Sequence, residues 1–179
     1  MLVAVLVGLL KLVLTALVAV LVVFVTYRVF IKANTDFDEE LEIKKGNVAV
    51  GILVTALLVG SANIIQQALT PVMNLLVMNL NTPQANTLSH WKLAGYALGH
   101  LGMAFICSVI AMSFSLRVFG RLTRNYMRAG QELHKGNVAV GLLLAGVVFV
   151  VGMYIGDGIQ ALSKALIPQA SYGRVQIMR

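Results

Sequence analysis

With 179 residues, 59% of them hydrophobic and 12% charged, the chain departs from soluble domains, which run about 45–50% apolar and about 25% charged. That composition excludes an ordinary water-soluble domain, and the lack of β-barrel alternation makes the expected membrane spans helical. The formal net charge of +7 would suit nucleic acid in a soluble protein. Here the basic residues sit beside apolar runs, where they set orientation and meet anionic lipid, so no nucleic-acid partner is expected.

The first apolar segment covers about residues 3–30. It has no basic region ahead of it and is too long for the h-region of a signal peptide, so it reads as a mature helix. Lys11 is its one interior charge. The loop KANTDFDEELEIKKG follows, carrying Asp36, Asp38, Glu39, Glu40 and Glu42 among its lysines.

The second segment, about 47–70, opens on KGNVAVG at Lys45 to Gly51. Asn47 is a strong N-cap, since its side-chain oxygen accepts from a free N–H of the first turn. Lys45 is placed to snorkel to headgroup phosphates. The same helix start is also, in principle, an anion site. Further along, Asn63, Gln67, Thr70 and Asn74 are spaced by four, three and four residues, one face of a helix that continues through Pro71. Amides facing lipid are costly, so this stripe is expected between helices or around a hydrated path.

The stretch 81–92 is the expected extracytoplasmic loop, and the third segment covers about 93–118. Gly95, Gly99 and Gly102 offer a face for close helix approach. His100, Met103 and Cys107 stand three and four apart, a line that soft metals favour, but ordinary apolar packing is the reading taken and no metal or other cofactor is expected. Cys107 is the single cysteine and has no intramolecular partner. Beyond it, Arg117, Arg121, Arg124 and Arg128 follow spacings of four, three and four; on a helix extended from this segment they share one face able to meet phosphates or an acidic partner.

The fourth segment, about 137–160, opens on a second KGNVAVG at Lys135 to Gly141, displaced by 90 residues from the first. Gly141, Ala145, Gly152 and Gly156 again form a small-residue face. Asp157 lies 20 residues after Asn137, so a helix rising about 1.5 Å per residue carries it to the far boundary, near the expected depth of Lys11. An ion pair between Lys11 and Asp157 is therefore a candidate. Pro168 ends the helix or its extension, and residues 168–179 read as a polar tail.

Lys and Arg are distributed unequally. Arg28, Lys32, Lys44, Lys45, Arg117, Arg121, Arg124, Arg128 and Lys135 cluster on one side, against Lys92, Lys164, Arg174 and Arg179 on the other. The positive-inside rule then puts the two motif-bearing loops in the cytoplasm and both termini outside. Glu42 matches Glu132, and Arg-Val-Phe at 28–30 recurs at 117–119 with a one-residue shift, so the repeat unit is a two-helix hairpin: residues 1–80 and 93–167. Two crossings per unit insert both copies in the same sense, which predicts a pseudo-two-fold axis along the membrane normal.

The pattern Glu42-Ile-Lys-Lys-Gly46-Asn47-Val-Ala49-Val-Gly51, with Glu132-Leu-His-Lys-Gly136-Asn137-Val-Ala139-Val-Gly141, resembles the bacterial inner-membrane family catalogued as domain of unknown function 350. The resemblance covers nearly the whole chain. It implies a four-helix membrane fold with no established activity, and a cytoplasmic partner among membrane-remodelling, envelope-maintenance proteins.

The fold class expected is thus all-α, polytopic, with four transmembrane helices in two tandem hairpins, forming homo-oligomers through glycine-lined faces. No HExxH, GxSxG or phosphate loop is present, so an enzyme is not expected. The leading functional expectation is a non-enzymatic inner-membrane scaffold whose basic loops contact anionic lipid or a peripheral protein. The alternative is a small homo-oligomeric channel or transporter lined by the Asn63, Gln67, Thr70 and Asn74 stripe.

Overall fold

The computed structural model of the protein describes residues 2–33, 38–81 and 89–166. They form six helices: α1 (Leu2–Ala33), α2 (Glu39–Lys44), α3 (Val48–Asn81), α4 (His90–Thr123), α5 (Ala129–His134) and α6 (Val138–Leu166). Among the described residues there is no strand. Lys11–Phe30, Val48–Asn79, Trp91–Thr123 and Val138–Leu166 are long and apolar enough to cross a bilayer. The chain is an all-helical, multi-pass membrane protein.

The helices overrun the apolar segments. At 34 residues, α3 and α4 are each about 51 Å long at 1.5 Å per residue, well beyond a hydrocarbon core of roughly 30 Å. Pro71 lies inside α3; it forfeits only its own hydrogen bond to the carbonyl of Gln67, and the helix runs on to Asn81. The expected loop 81–92 is therefore trimmed by helix at both ends. Residues 82–88 of it lie outside the described residues, as do Asp36 and the tail with Pro168, Arg174 and Arg179.

Two short helices replace what the charged loops suggested. Asp38 accepts a hydrogen bond from the Leu41 amide at 3.0 Å and caps α2. Arg128 occupies the same position before α5 with no side-chain cap bond. The four-arginine helix face is corrected here: α4 stops at Thr123, Arg124 is its C-cap, and the chain turns before Arg128.

Helix α3 is the axis of the fold, with 56% of its apolar window buried against 33% for α6, 17% for α4 and 11% for α1. Its main partner is α6; α4 packs on both, and α1 rests on α3. Lipid supplies no hydrophobic drive between helices, so close approach must supply the attraction. A Cβ placed on Gly141 would lie 2.7 Å from the Ala49 carbonyl oxygen, and one on Gly152 would lie 3.2 Å from Cα of Gly60. One on Gly156 would meet the Asn63 amide nitrogen at 3.2 Å. Ala145 is buried on the same face. Gly95, Gly99 and Gly102 of α4 instead meet nothing within 4 Å, so close packing at glycine falls on Gly60 of α3 and on Gly141, Gly152 and Gly156 of α6.

The packing also departs from a pseudo-two-fold arrangement. Such an axis would match the α3 contact with α4 by an equal contact of α6 with α1, and no comparable packing exists there. Gly51, the counterpart of Gly141, has no neighbour within 4 Å.

Gly141→Ala is expected to lower the melting temperature of the detergent-solubilised monomer by an amount equivalent to about 1–3 kcal/mol, the usual overpacking cost. Gly51→Ala, at the equivalent repeat position, should be neutral or slightly stabilising, since Ala is favoured over Gly in a helix by up to about 1 kcal/mol. Equal melting shifts would contradict the asymmetric packing.

Candidate functional site

The duplicated heptapeptide solves one problem twice: how to end a short helix and start a spanning one with only three residues between them. The last carbonyls of α2 and the first amides of α3 would all be orphaned. Lys45 is the C-cap of α2, and Gly46 follows in the left-handed region at φ 81°. The Gly46 amide donates to the Ile43 carbonyl at 2.9 Å and the Asn47 amide to Glu42 at 3.0 Å. This is a Schellman motif, for which glycine is the natural residue because a Cβ is disfavoured at that φ. Asn47 then turns to its second task, accepting at Oδ1 from the Val50 amide at 3.2 Å.

The second copy repeats this geometry. Gly136 has φ 81°; its amide reaches Leu133 at 2.9 Å, and that of Asn137 reaches Glu132 at 2.9 Å. Asn137 Oδ1 stands 3.5 Å from the Val140 amide. The glutamates close both junctions. Glu42 accepts from Lys45 Nζ at 2.8 Å and Asn47 Nδ2 at 3.1 Å; Glu132 accepts from Lys135 Nζ at 2.8 Å and Asn137 Nδ2 at 3.0 Å. The Lys45 hydrogen bond, and after it that of Asn47, hold the Glu42 carboxyl below its ordinary value of 4.5. Lys135 and Asn137 do the same for Glu132.

The copies differ in what lies next to them. Asn47 Nδ2 also donates across the molecule to the Leu133 carbonyl at 2.9 Å and the His134 carbonyl at 3.3 Å, and His134 Nδ1 stands 3.4 Å from Glu42. The Glu42 side chain is 7% exposed and that of Glu132 29%. The first junction thus holds the end of α5 in place.

Beside it lies a cavity of about 1180 Å³. Arg117 and Arg121 of α4, the cap residues Arg124 and Arg128, and His134 and Lys135 at the end of α5 line it, with Glu39 of α2. Lys135 is already paired with Glu132, so four arginines face the one lining carboxylate, and among the described residues no ion pair involves any of the four. Phe30, Leu53, Leu57, Leu116 and Leu144 from four spanning helices supply an apolar wall. A polar basic mouth over an apolar wall at the end of the spans suits an anionic amphiphile. The four arginines do converge, through a turn after α4 rather than along one helix face.

The polar stripe of α3 divides. Asn63 Nδ2 donates to the Gly152 carbonyl at 3.2 Å, and Gln67 Oε1 accepts from Gln160 Nε2 at 2.8 Å, both across the α3–α6 contact. Thr70 is exposed and bonds back to the Gln66 carbonyl at 3.3 Å. Asn74 is exposed. Lys11 and Asp157 are both exposed, and no ion pair joins them among the described residues. His100 is buried with Nδ1 on the Tyr96 carbonyl at 2.7 Å, and Cys107 is half-buried against the core. Among the described residues no group of three His, Cys, Asp or Glu could hold a metal.

Sequence reasoning missed α2, α5 and the left-handed glycines. The signal was present: Asp38 ahead of Glu39, Glu40 and Glu42, a helix-start pattern, with Gly46 as its stop.

The profile of the family described as Domain of Unknown Function (DUF350) matches residues 3–159 and, in a second match, residues 92–178. The chain belongs to that family. No curated protein and no solved structure matches it.

A carboxyl whose folded pKa lies below its ordinary value contributes stability that is present above the ordinary value and is lost as pH falls through the depressed one. The melting temperature is therefore expected to be flat from pH 7 to about 5 and to fall below the ordinary 4.5. Glu42→Gln with Glu132→Gln should flatten that acid limb, and Glu42→Gln alone should lower the neutral-pH melting temperature more than Glu132→Gln alone. Thermal scans from pH 7 to 3.5 check both; an acid limb unchanged in the double variant would refute the assignment.

Proposed function

We propose that this member of the family is a non-enzymatic oligomeric scaffold of the bacterial inner membrane, acting in envelope or membrane-stress maintenance, which seats an anionic lipid headgroup in its basic cavity. The observation that carries this is the convergence of Arg117, Arg121, Arg124, Arg128 and Lys135 on one cavity with an apolar wall. Basic residues near a surface attract anionic lipid by about 1 kcal/mol each, and arginine adds bidentate phosphate geometry. The positive-inside rule supports a cytoplasmic position for this end and outward termini. A peripheral membrane-remodelling protein with an acidic face would meet the same arginines from the cytoplasm.

The channel reading has less support. Asn63 and Gln67, the amides that would line a path, spend their hydrogen bonds on Gly152 and Gln160 of the same chain. That is the role expected of amides that fasten spanning helices together.

The test is native mass spectrometry of protein released from nanodiscs of phosphatidylglycerol or phosphatidylcholine. The wild type should retain the anionic lipid preferentially. At about 1 kcal/mol per residue, each Arg→Gln substitution in the set should weaken retention about fivefold, and Arg→Lys much less. Equal retention of the two lipids, or a quadruple Arg→Gln variant with undiminished retention, would sink the proposal. Cation flux through reconstituted protein, abolished by Asn63→Leu without loss of folding, would move the conclusion to a channel.

A further inference from the structure

The two heptapeptides are identical, yet the chain uses different halves of them. On the first copy Ala49 meets α6 and Asn47 reaches the end of α5; on the second Gly141 packs on Ala49. Residues two apart on a helix point about 200° apart, so these are opposite faces of equivalent helices. The contact is heterologous, and it leaves the complementary half of each copy unused.

The unused face is long on α6 and short on α3, where Leu58 and Ala62, the counterparts of Val148 and Gly152, pack against the core. Ala49, Leu53, Ala56 and Gly60 of α3 are buried, and Asn63 and Gln67 half-buried, against their neighbours. Their counterparts 90 residues on are Ala139, Leu143, Gly146, Val150, Met153 and Asp157 of α6, every one of them exposed. Conversely Gly141 and Ala145 of α6 are buried, whereas their counterparts on α3 are half-buried Gly51, open to 4 Å, and exposed Thr55.

The geometry points to a second copy of this chain as the occupant: the Asn137–Ala139 face of one subunit receives the Gly51 face of α3 in the next, repeating head to tail the motif end of the contact made inside the chain; beyond it Val150 and Ala62 stand where Gly60 and Gly152 meet internally, so the helices splay apart from there. At the motif the residues are the same as in the internal contact, so Ala139 meets Gly51 and the Asn137 amide reaches the carbonyls of Ile43 and Lys44. Charges agree as well. Internally His134 faces Glu42 at 3.4 Å; between subunits Lys44, its repeat counterpart, faces Glu132, which is 29% exposed. A contact of this kind closes into a ring or continues as a filament according to its rotation.

The inference deepens the oligomeric part of the scaffold reading and does not involve the arginine cavity, so its test reads independently of lipid retention. In a Cys107→Ala background, one tagged chain carries Gly51→Cys and a second, differently tagged, carries Ala139→Cys; both positions are open in the subunit, so folding is not at risk. The two are co-expressed and treated in membranes with a short bis-maleimide cross-linker. The expected product is a dimer bearing both tags, formed in the mixture and in neither chain alone. Same-tag dimers from either chain alone would show a two-fold interface and overturn the head-to-tail contact, as would no dimer in the mixture when both thiols are labelled by maleimide. As a second readout, Ala139→Trp is expected to convert the oligomer to monomer by native mass spectrometry without lowering the subunit's melting temperature; an unchanged oligomer mass would equally overturn the proposal.

Discussion

Everything in this fold depends on ending one helix and starting another at the membrane boundary without stranding a backbone polar group. An unsatisfied amide or carbonyl is expensive near lipid. Three residues, Lys-Gly-Asn, serve as C-cap, left-handed link and N-cap in succession, so α2 passes into α3 and α5 into α6 with the Schellman and N-cap bonds made locally. Glycine is required at the centre because φ is 81° at both Gly46 and Gly136. Glutamate is required three residues before the lysine because its carboxylate neutralises the lysine and anchors the asparagine amide at once.

That junction also organises the cavity. Asn47 has a surplus donor after closing on Glu42, and it reaches the carbonyls ending α5. The short helix so fixed carries His134 and Lys135 to the cavity wall, with Arg128 at its start. Stability and the candidate binding chemistry are thus coupled through one amide. Weakening the first junction loosens three of the basic groups; the second junction, whose Asn137 has no such reach among the described hydrogen bonds, has no equivalent leverage.

Much of this was legible in the sequence for physical reasons. Spans follow from length and hydropathy, and the Asn caps from side-chain chemistry. The small-residue face of α6 follows from spacing, because packing in lipid needs close backbone approach. What was illegible depended on partners distant in the chain. Nothing local distinguishes Gly141, which meets Ala49, from Gly99, which meets nothing within 4 Å. The stripe from Asn63 to Asn74 does share a helical face, but its division follows from which members find a partner on α6, Gly152 and Gln160, a property of another segment. The short helices were missed for a different reason, since six residues carry too little periodicity to register, and only their caps betray them.

The repeat is the most instructive failure of symmetry. Two identical heptapeptides suggest two identical environments, yet identity of sequence constrains only what each copy can do, and packing decides which half it does. A two-fold pairing would use the same face of both copies and leave both opposite faces free to diverge. A head-to-tail pairing uses opposite faces, and one chain then needs Asn47 and Ala49 from its first copy and Gly141 from its second. The remaining letters, Gly51 in one and Asn137 with Ala139 in the other, are not needed for that contact. Local capping accounts for Asn137, but it gives no reason for a helix-compatible Gly51 where Ala would stabilise the helix by up to about 1 kcal/mol. A glycine held at that cost, on a face complementary to one the same molecule exposes elsewhere, is what a repeated interface requires.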